Sequence, residues 1–274
     1  MANPWLIAGV VVGSYLLGSV SPSVFLGKLV RHIDVREHGS GNPGTTNAFR
    51  VLGVKLGIVV LVSDILKGLL PILVCRWLAF GPLASVGVGL AAIVGHNWSV
   101  FLRGRGGKGI ATTGGVIIGL MPVSSLIVVL GFTVMILLTR IVSVGSLFAT
   151  LVFVATTLVG RQPWPYMALS FCAAIIIFYA HRGNLKRIVT GKEPRLEWPW
   201  KTKRPGDGAD HEETSGAADN VTRATAEAPA PDTAPPERTD SQASATGSPA
   251  PRTPPRPTPA PRRESKRVAP RGSS

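Results

Sequence analysis

The chain has 274 residues, 45% of them hydrophobic, with a mean hydropathy of +0.28 and a formal net charge of +14, a combination that excludes an ordinary soluble enzyme. The imbalance resolves when the chain is divided near residue 200. Residues 201–274 contain no Leu, Ile, Met, Phe, Trp, Tyr or Cys and hold 13 of the 23 prolines, so they cannot build a core. Residues 1–200 keep 17 Lys/Arg against five Asp/Glu, so most of the positive charge belongs to the apolar part. These cations lack interleaved stacking aromatics, which argues against nucleic acid as a partner. They lie instead at the edges of apolar runs, the pattern of membrane topology. The expected fold is an all-α integral membrane protein of about seven transmembrane segments, residues 1–200, followed by a disordered Pro/Ala-rich tail, residues 201–274.

A span needs roughly 20 mostly apolar residues. The first run, residues 3–27, carries no side-chain charge and lacks both the basic start and the cleavage site of a signal peptide, so it reads as a retained span. The loop after it contains Gly39, Ser40, Gly41, Asn42, Thr46, Asn47 and Arg50. Glycines allow backbone N–H groups to converge into an anion-binding nest, and the hydroxyl, amide and guanidinium groups add donors for phosphate oxygens. The second run, residues 56–75, holds Asp64 and Lys67 three apart, which predicts a paired intramembrane charge. The third, residues 77–102, leads into Arg103-Gly104-Arg105-Gly106-Gly107-Lys108-Gly109, a phosphate-suited composition opening into a helix at Ile110. It is not a Walker A loop, because Gly109 stands where Ser or Thr would hold magnesium.

The next run, residues 109–139, is too long for one simple span and is broken at Pro122. Splitting it into two short helices, or a re-entrant pair, places the charged segments 32–50, 103–108 and 181–192 on one side, which the positive-inside rule makes cytoplasmic. Residues 141–160 follow, with Ser143 and Ser146 near their start, then residues 162–180, then a third polar cluster from His181 and Asn184 to Glu193. Cys75 and Cys172 both lie inside apolar runs and have no disulfide or metal-ligand spacing. No His-x4-Asp signature and no acidic metal cluster occur, which disfavours the common soluble-type glycerolipid acyltransferases and the metal-dependent alcohol phosphotransferases.

Four motifs in order, residues 39–50, Asp64-Ile65-Leu66-Lys67-Gly68, Gly95–Leu102 running into Gly106–Thr112, and residues 181–193, resemble the bacterial acyl-phosphate:glycerol-3-phosphate acyltransferase family. The resemblance covers residues 5 to about 195. It implies a seven-helix membrane enzyme that moves a fatty acyl group from acyl phosphate to the 1-hydroxyl of sn-glycerol 3-phosphate, without metal, CoA or other cofactor. It further implies residence in the bacterial plasma membrane, cytoplasmic active-site loops and tail, and a soluble enzyme that produces the acyl phosphate. By resemblance, Ser40, Lys108, Ser146 (or secondarily Ser143), His181 and Asn184 are the catalytic candidates. Gly39, Gly41, Asn42, Thr46, Asn47, Arg50, Arg105, Gly106 and Gly107 are the substrate-binding ones, and Glu193 is structural. Pro43 and Thr45 depart from the family's usual aliphatic residue and Ala. The alternative is a transporter or flippase for a phosphorylated solute or lipid, which would also favour cationic loops and broken helices.

Overall fold

The computed structural model describes residues 3–196, and the expected disordered tail, residues 201–274, lies outside the described residues. Among the described residues the chain is wholly helical: α1 (Pro4–Ser19), α2 (Pro22–Arg31), α3 (Thr45–Leu52), α4 (Val54–Trp77), α5 (Pro82–Asn97), α6 (Ile110–Leu120), α7 (Pro122–Thr139), α8 (Val142–Val159), α9 (Trp164–Ala180) and α10 (Arg182–Val189), with 3-10 turns at Val35–Glu37 and Val100–Leu102. Helices α4, α7 and α8, and the segment Pro82–Leu102 that includes α5, are each long and apolar enough to cross a membrane. The pairs α1–α2 and α9–α10, bent by 41° and 62°, bring the number to six, and the short apolar α6 completes the seven segments.

The first span is not continuous. It breaks at Val20 and Ser21 because the residue before a proline avoids the helical region, and Pro22 restarts the chain as the amphipathic α2. The expectation of two short helices within residues 109–139 is half corrected. Pro122 divides the run unequally, leaving α6 with 11 residues and α7 with 18. At 1.5 Å per residue α6 is roughly 16 Å long, half a bilayer core, whereas α7 spans. Helix α6 is sheltered, with Thr112, Thr113, Gly115, Val116 and Ile117 buried. Helix α7 is the opposite, presenting Val123, Leu126, Leu130 and Leu138 outward, at an apolar density that suits lipid and not water.

Small residues set the crossings. A β-carbon on Gly68 or Gly115 would collide with the backbone carbonyls of Thr112 and Ile65, so α4 and α6 touch backbone to backbone. Gly18 and Gly95 do the same for α1 and α5, against the carbonyls of Ala92 and Tyr15. Without a hydrophobic force between helices in lipid, such close contact supplies the packing. Between these crossings lies the expected charge pair. Lys67 Nζ stands 2.9 Å from Asp64 Oδ1, with both side chains almost fully buried. Lys67 also donates to the Val20 carbonyl at the α1–α2 break (2.8 Å), and Thr45 Oγ1 donates to Asp64 Oδ2 (3.0 Å). The pair therefore ties the broken first span and the start of α3 to α4.

Candidate active site

The three charged segments meet at one end of the helix bundle. Lys108 Nζ, two residues before α6, donates to Asn184 Oδ1 on α10 at 2.6 Å. Asn184 Nδ2 in turn donates to Glu193 Oε1, which also accepts from Ser143 Oγ at the start of α8 (2.7 Å), while Arg187 Nε donates to Glu193 Oε2 (2.7 Å). One chain of hydrogen bonds thus joins α6, α8 and α10. Burial pushes the Lys108 ammonium down to about 8; Glu193 opposes that shift, and the positive charges of Arg187 and Arg50 add to it. Burial raises the Glu193 carboxyl, but the hydrogen bonds from Asn184, Ser143 and Arg187 outweigh it and hold the group below its ordinary range. A cation and a carboxylate are therefore coupled through a single amide.

Beside this network a cavity of about 440 Å³ opens between the second loop and the α9–α10 corner, with Asn42, Asn97, Trp98, Arg105, Tyr179 and Asn184 on its walls. His181, the last residue before α10, is buried, and its Nδ1 lies 2.9 Å from the Ile177 carbonyl. A carbonyl only accepts, so Nδ1 carries the proton and Nε2 is left as an acceptor.

The loops themselves differ from the nests that the glycine spacing predicts. The N–H groups of Gly106 and Gly107 donate to the carbonyls of Asn97 and His96 (3.1 and 2.9 Å), which belong to the C-terminal turn of α5. These glycines are required by space, since a β-carbon on either would collide with His96. In the first loop Gly41 N–H donates to the His38 carbonyl and Ser40 N–H to Asn47 Oδ1. Asn47 also donates through its amide to the Val35 and His38 carbonyls, so this side chain organises the loop from within. Helix α6 is started by Gly109 in a left-handed conformation (φ 82°), and the N–H groups of its first turn have no helical acceptor.

Ser40, Thr46 and Arg50 are exposed on the first loop and α3, and they make no side-chain hydrogen bond among the described residues. Gly39 and Gly41 hold positive φ (62° and 70°) there. Ser146 lies buried on α8. Its hydroxyl donates to the Val142 carbonyl of its own helix, and Ser143, one turn earlier, faces Glu193 instead. Glu193, expected from the resemblance to be structural, forms the junction of this network and is the only acidic residue between positions 181 and 193. Sequence reasoning assigned nothing to Asn97, Trp98 or Tyr179, which lie in motif or span and carry no charge.

Several apolar spans, one half-length helix and a cationic cleft at one end of the bundle define a multi-pass helical membrane protein built around a polar site. The family model described as glycerol-3-phosphate acyltransferase matches residues 8–191. The chain is 40% identical over 193 residues to the glycerol-3-phosphate acyltransferase of Bacillus velezensis, covering 70% of this chain and 99% of that one. It is also 40% identical over 189 residues to that of Pseudomonas aeruginosa, covering 69% and 97%. Two crystal structures of PlsY, an integral membrane glycerol 3-phosphate acyltransferase, align at 35% identity over 70% of this chain. The glycerol 3-phosphate form has a TM-score of 0.67 over 96% of its chain, and the lysophosphatidic acid form 0.65 over 95%. The chain belongs to the glycerol-3-phosphate acyltransferase family.

Proposed function

We propose that the protein transfers a fatty acyl group from acyl phosphate to the 1-hydroxyl of sn-glycerol 3-phosphate, releasing lysophosphatidic acid and inorganic phosphate. The observation that carries this reading is the Lys108–Asn184–Glu193–Ser143 chain, which holds a half-buried cation beside a polar cavity at the end of an apolar bundle. Both substrates are anionic, one has a lipid tail, and the relatives' names supply the acceptor. In this reading the acceptor's hydroxyl oxygen forms a bond to the acyl carbonyl carbon. The bond from that carbon to the phosphate oxygen breaks, and the departing phosphate takes the hydroxyl proton. The protein's part is positioning and charge stabilisation: Lys108 offsets charge on the carbonyl or leaving phosphate, and Asn184 fixes the Lys108 ammonium. Arg50, Arg105, Ser40, Asn42 and Thr46 bind phosphate oxygens, and the acceptor nitrogen of His181 orients a hydroxyl. Neither metal nor CoA takes part.

The same reading places residues 1–200 in the bacterial plasma membrane as the catalytic domain, with the loops and tail cytoplasmic and acyl phosphate delivered by a soluble enzyme. The test uses the full chain in nanodiscs with labelled glycerol 3-phosphate and a chelator present, supplied first with palmitoyl phosphate and then with palmitoyl-CoA. Label in the organic phase with palmitoyl phosphate alone is expected. Product with palmitoyl-CoA alone overturns the donor. No lipid product, with glycerol 3-phosphate crossing vesicles unchanged, overturns the enzyme in favour of a carrier.

A further inference from the structure

Asp64 on α4 is 1% exposed, and a carboxylate buried so deeply between helices is held only by the groups that face it. Thr45, the first residue of α3, donates to its Oδ2 (3.0 Å), and Lys67 Nζ stands 2.9 Å from Oδ1. A third neighbour comes from another helix. His96 on α5 is 6% exposed, and its Nδ1 lies 3.7 Å from Asp64 Oδ1. That is longer than a hydrogen bond, yet neither atom has a hydrogen-bond partner among the described residues. Unpartnered buried polar atoms call for an explanation, and here the two face each other. A carboxylate only accepts, so the imidazole proton belongs on Nδ1, turned towards Asp64.

The far edge of the same ring meets the second loop. A β-carbon on Gly107 would collide with Nε2 and Cε1 of His96, and the Gly107 N–H donates to the His96 carbonyl (2.9 Å), so ring and backbone together seat the residue before Lys108. The first loop arrives at Asp64 through Thr45, the residue before Thr46. Pro43 of the first loop and Gly106 and Gly107 of the second border one small void with Lys67 and His96. We infer that Asp64 is a positioning residue whose two arms, Thr45 and His96, hold the first loop and Lys108 in one register, so that the two halves of the site move as a unit. The ion pair with Lys67 fixes the carboxylate itself. The effect on catalysis rests on the acyl transfer proposed above, whereas the coupling of the loops does not.

Thr45→Val and His96→Leu each remove one arm and leave the Asp64–Lys67 pair in place. Thr45→Ser keeps the hydroxyl, and His96→Asn keeps an N–H donor near the position of Nδ1. With the full-length protein in nanodiscs acylating labelled glycerol 3-phosphate from palmitoyl phosphate, kcat should fall about tenfold in Thr45→Val and in His96→Leu, with both KM values within about twofold of wild type. In Thr45→Ser and His96→Asn it should return to within about threefold of wild type. Thr45→Val with His96→Leu should lose no more than about threefold beyond the worse single variant, because both act through one carboxylate; independent residues would multiply to about a hundredfold. Amide hydrogen exchange reads the coupling without the reaction. Thr45→Val should speed exchange in residues 103–109 about tenfold, and His96→Leu in residues 39–50, with α7 and α8 unchanged. A lower Tm with kcat intact, multiplicative losses, His96→Asn no better than His96→Leu, or exchange that quickens only in the altered loop overturns the inference. Wild type inactive on palmitoyl phosphate, with exchange coupled across the two loops, overturns the proposed reaction and sustains the positioning.

Discussion

Lys108 is the residue on which charge, burial and position converge. With its ammonium held near 8 in the free protein, the cationic form is complete below that pH and lost as pH rises through it. The kcat/KM for glycerol 3-phosphate should then be flat below about pH 8 and fall above it, and Lys108→Ala should lower it by at least about a hundredfold below pH 8, with the gap to wild type narrowing as pH rises further. A pH profile of both proteins checks this. The serines give a sharper contrast, since Ser143 bonds Glu193 and Ser146 bonds only its own helix. Ser143→Ala should therefore lower kcat about tenfold and Ser146→Ala within about twofold, measured at saturating substrates. The sequence made the polar clusters legible because Gly, Asn, Ser and Arg are out of place beside long apolar runs. It did not show which polar side chains are bonded internally. Asn47 and Asn97 are both buried amides, and only their neighbours decide that one is bonded on every side and the other on none.

At the scale of the element, Gly57 and Gly68 of α4 and Gly115 and Gly119 of α6 are fixed by contact, and Gly9 and Gly13 of α1 are not. Gly68→Val would drive methyl groups into the Thr112 carbonyl and should destabilise by about 3 kcal/mol or more, as a lower Tm or no folded yield in detergent. Gly9→Ala, with nothing within 4 Å of the added carbon, should leave Tm unchanged or slightly higher. Hydrophobic length revealed α4, α5, α8 and α9 because a bilayer imposes it. It could not reveal α3 or α10, which are eight residues each and read as loop because their turns exchange apolar and polar residues. The break at Val20 was marked by Pro22, a signal hidden by the unbroken apolarity around it.

For the molecule as a whole, orientation is the open consequence of the loops' meeting at one end. Lys192 lies at that end and Arg161 in the α8–α9 turn, and both are exposed. In a background lacking Cys75 and Cys172, Lys192→Cys should react with an impermeant maleimide only after the cells are opened, and Arg161→Cys in intact cells. The reverse pattern would place the site outside. The buried pair offers a test of assembly. Asp64→Ala leaves Lys67 without its counter-ion inside the bundle and should cost about 3–5 kcal/mol, whereas Asp64→Ala with Lys67→Met should recover much of it. Thermal unfolding of the three proteins in one detergent decides between them.

The unequal division at Pro122 has a further result. Helices α6 and α7 share that corner, yet α6 is seven residues shorter, about 10 Å along its axis. Arg140 after α7 reaches the level of the loops, where its carbonyl accepts from Leu196 N–H, so the start of α6 and Lys108 are recessed below it. On the proposed reaction, such a recess would let a water-soluble acceptor descend to the acyl donor, which would then never have to leave the bilayer. The new lysolipid would be born already dissolved in its membrane, free to diffuse sideways to the next acylation without a carrier.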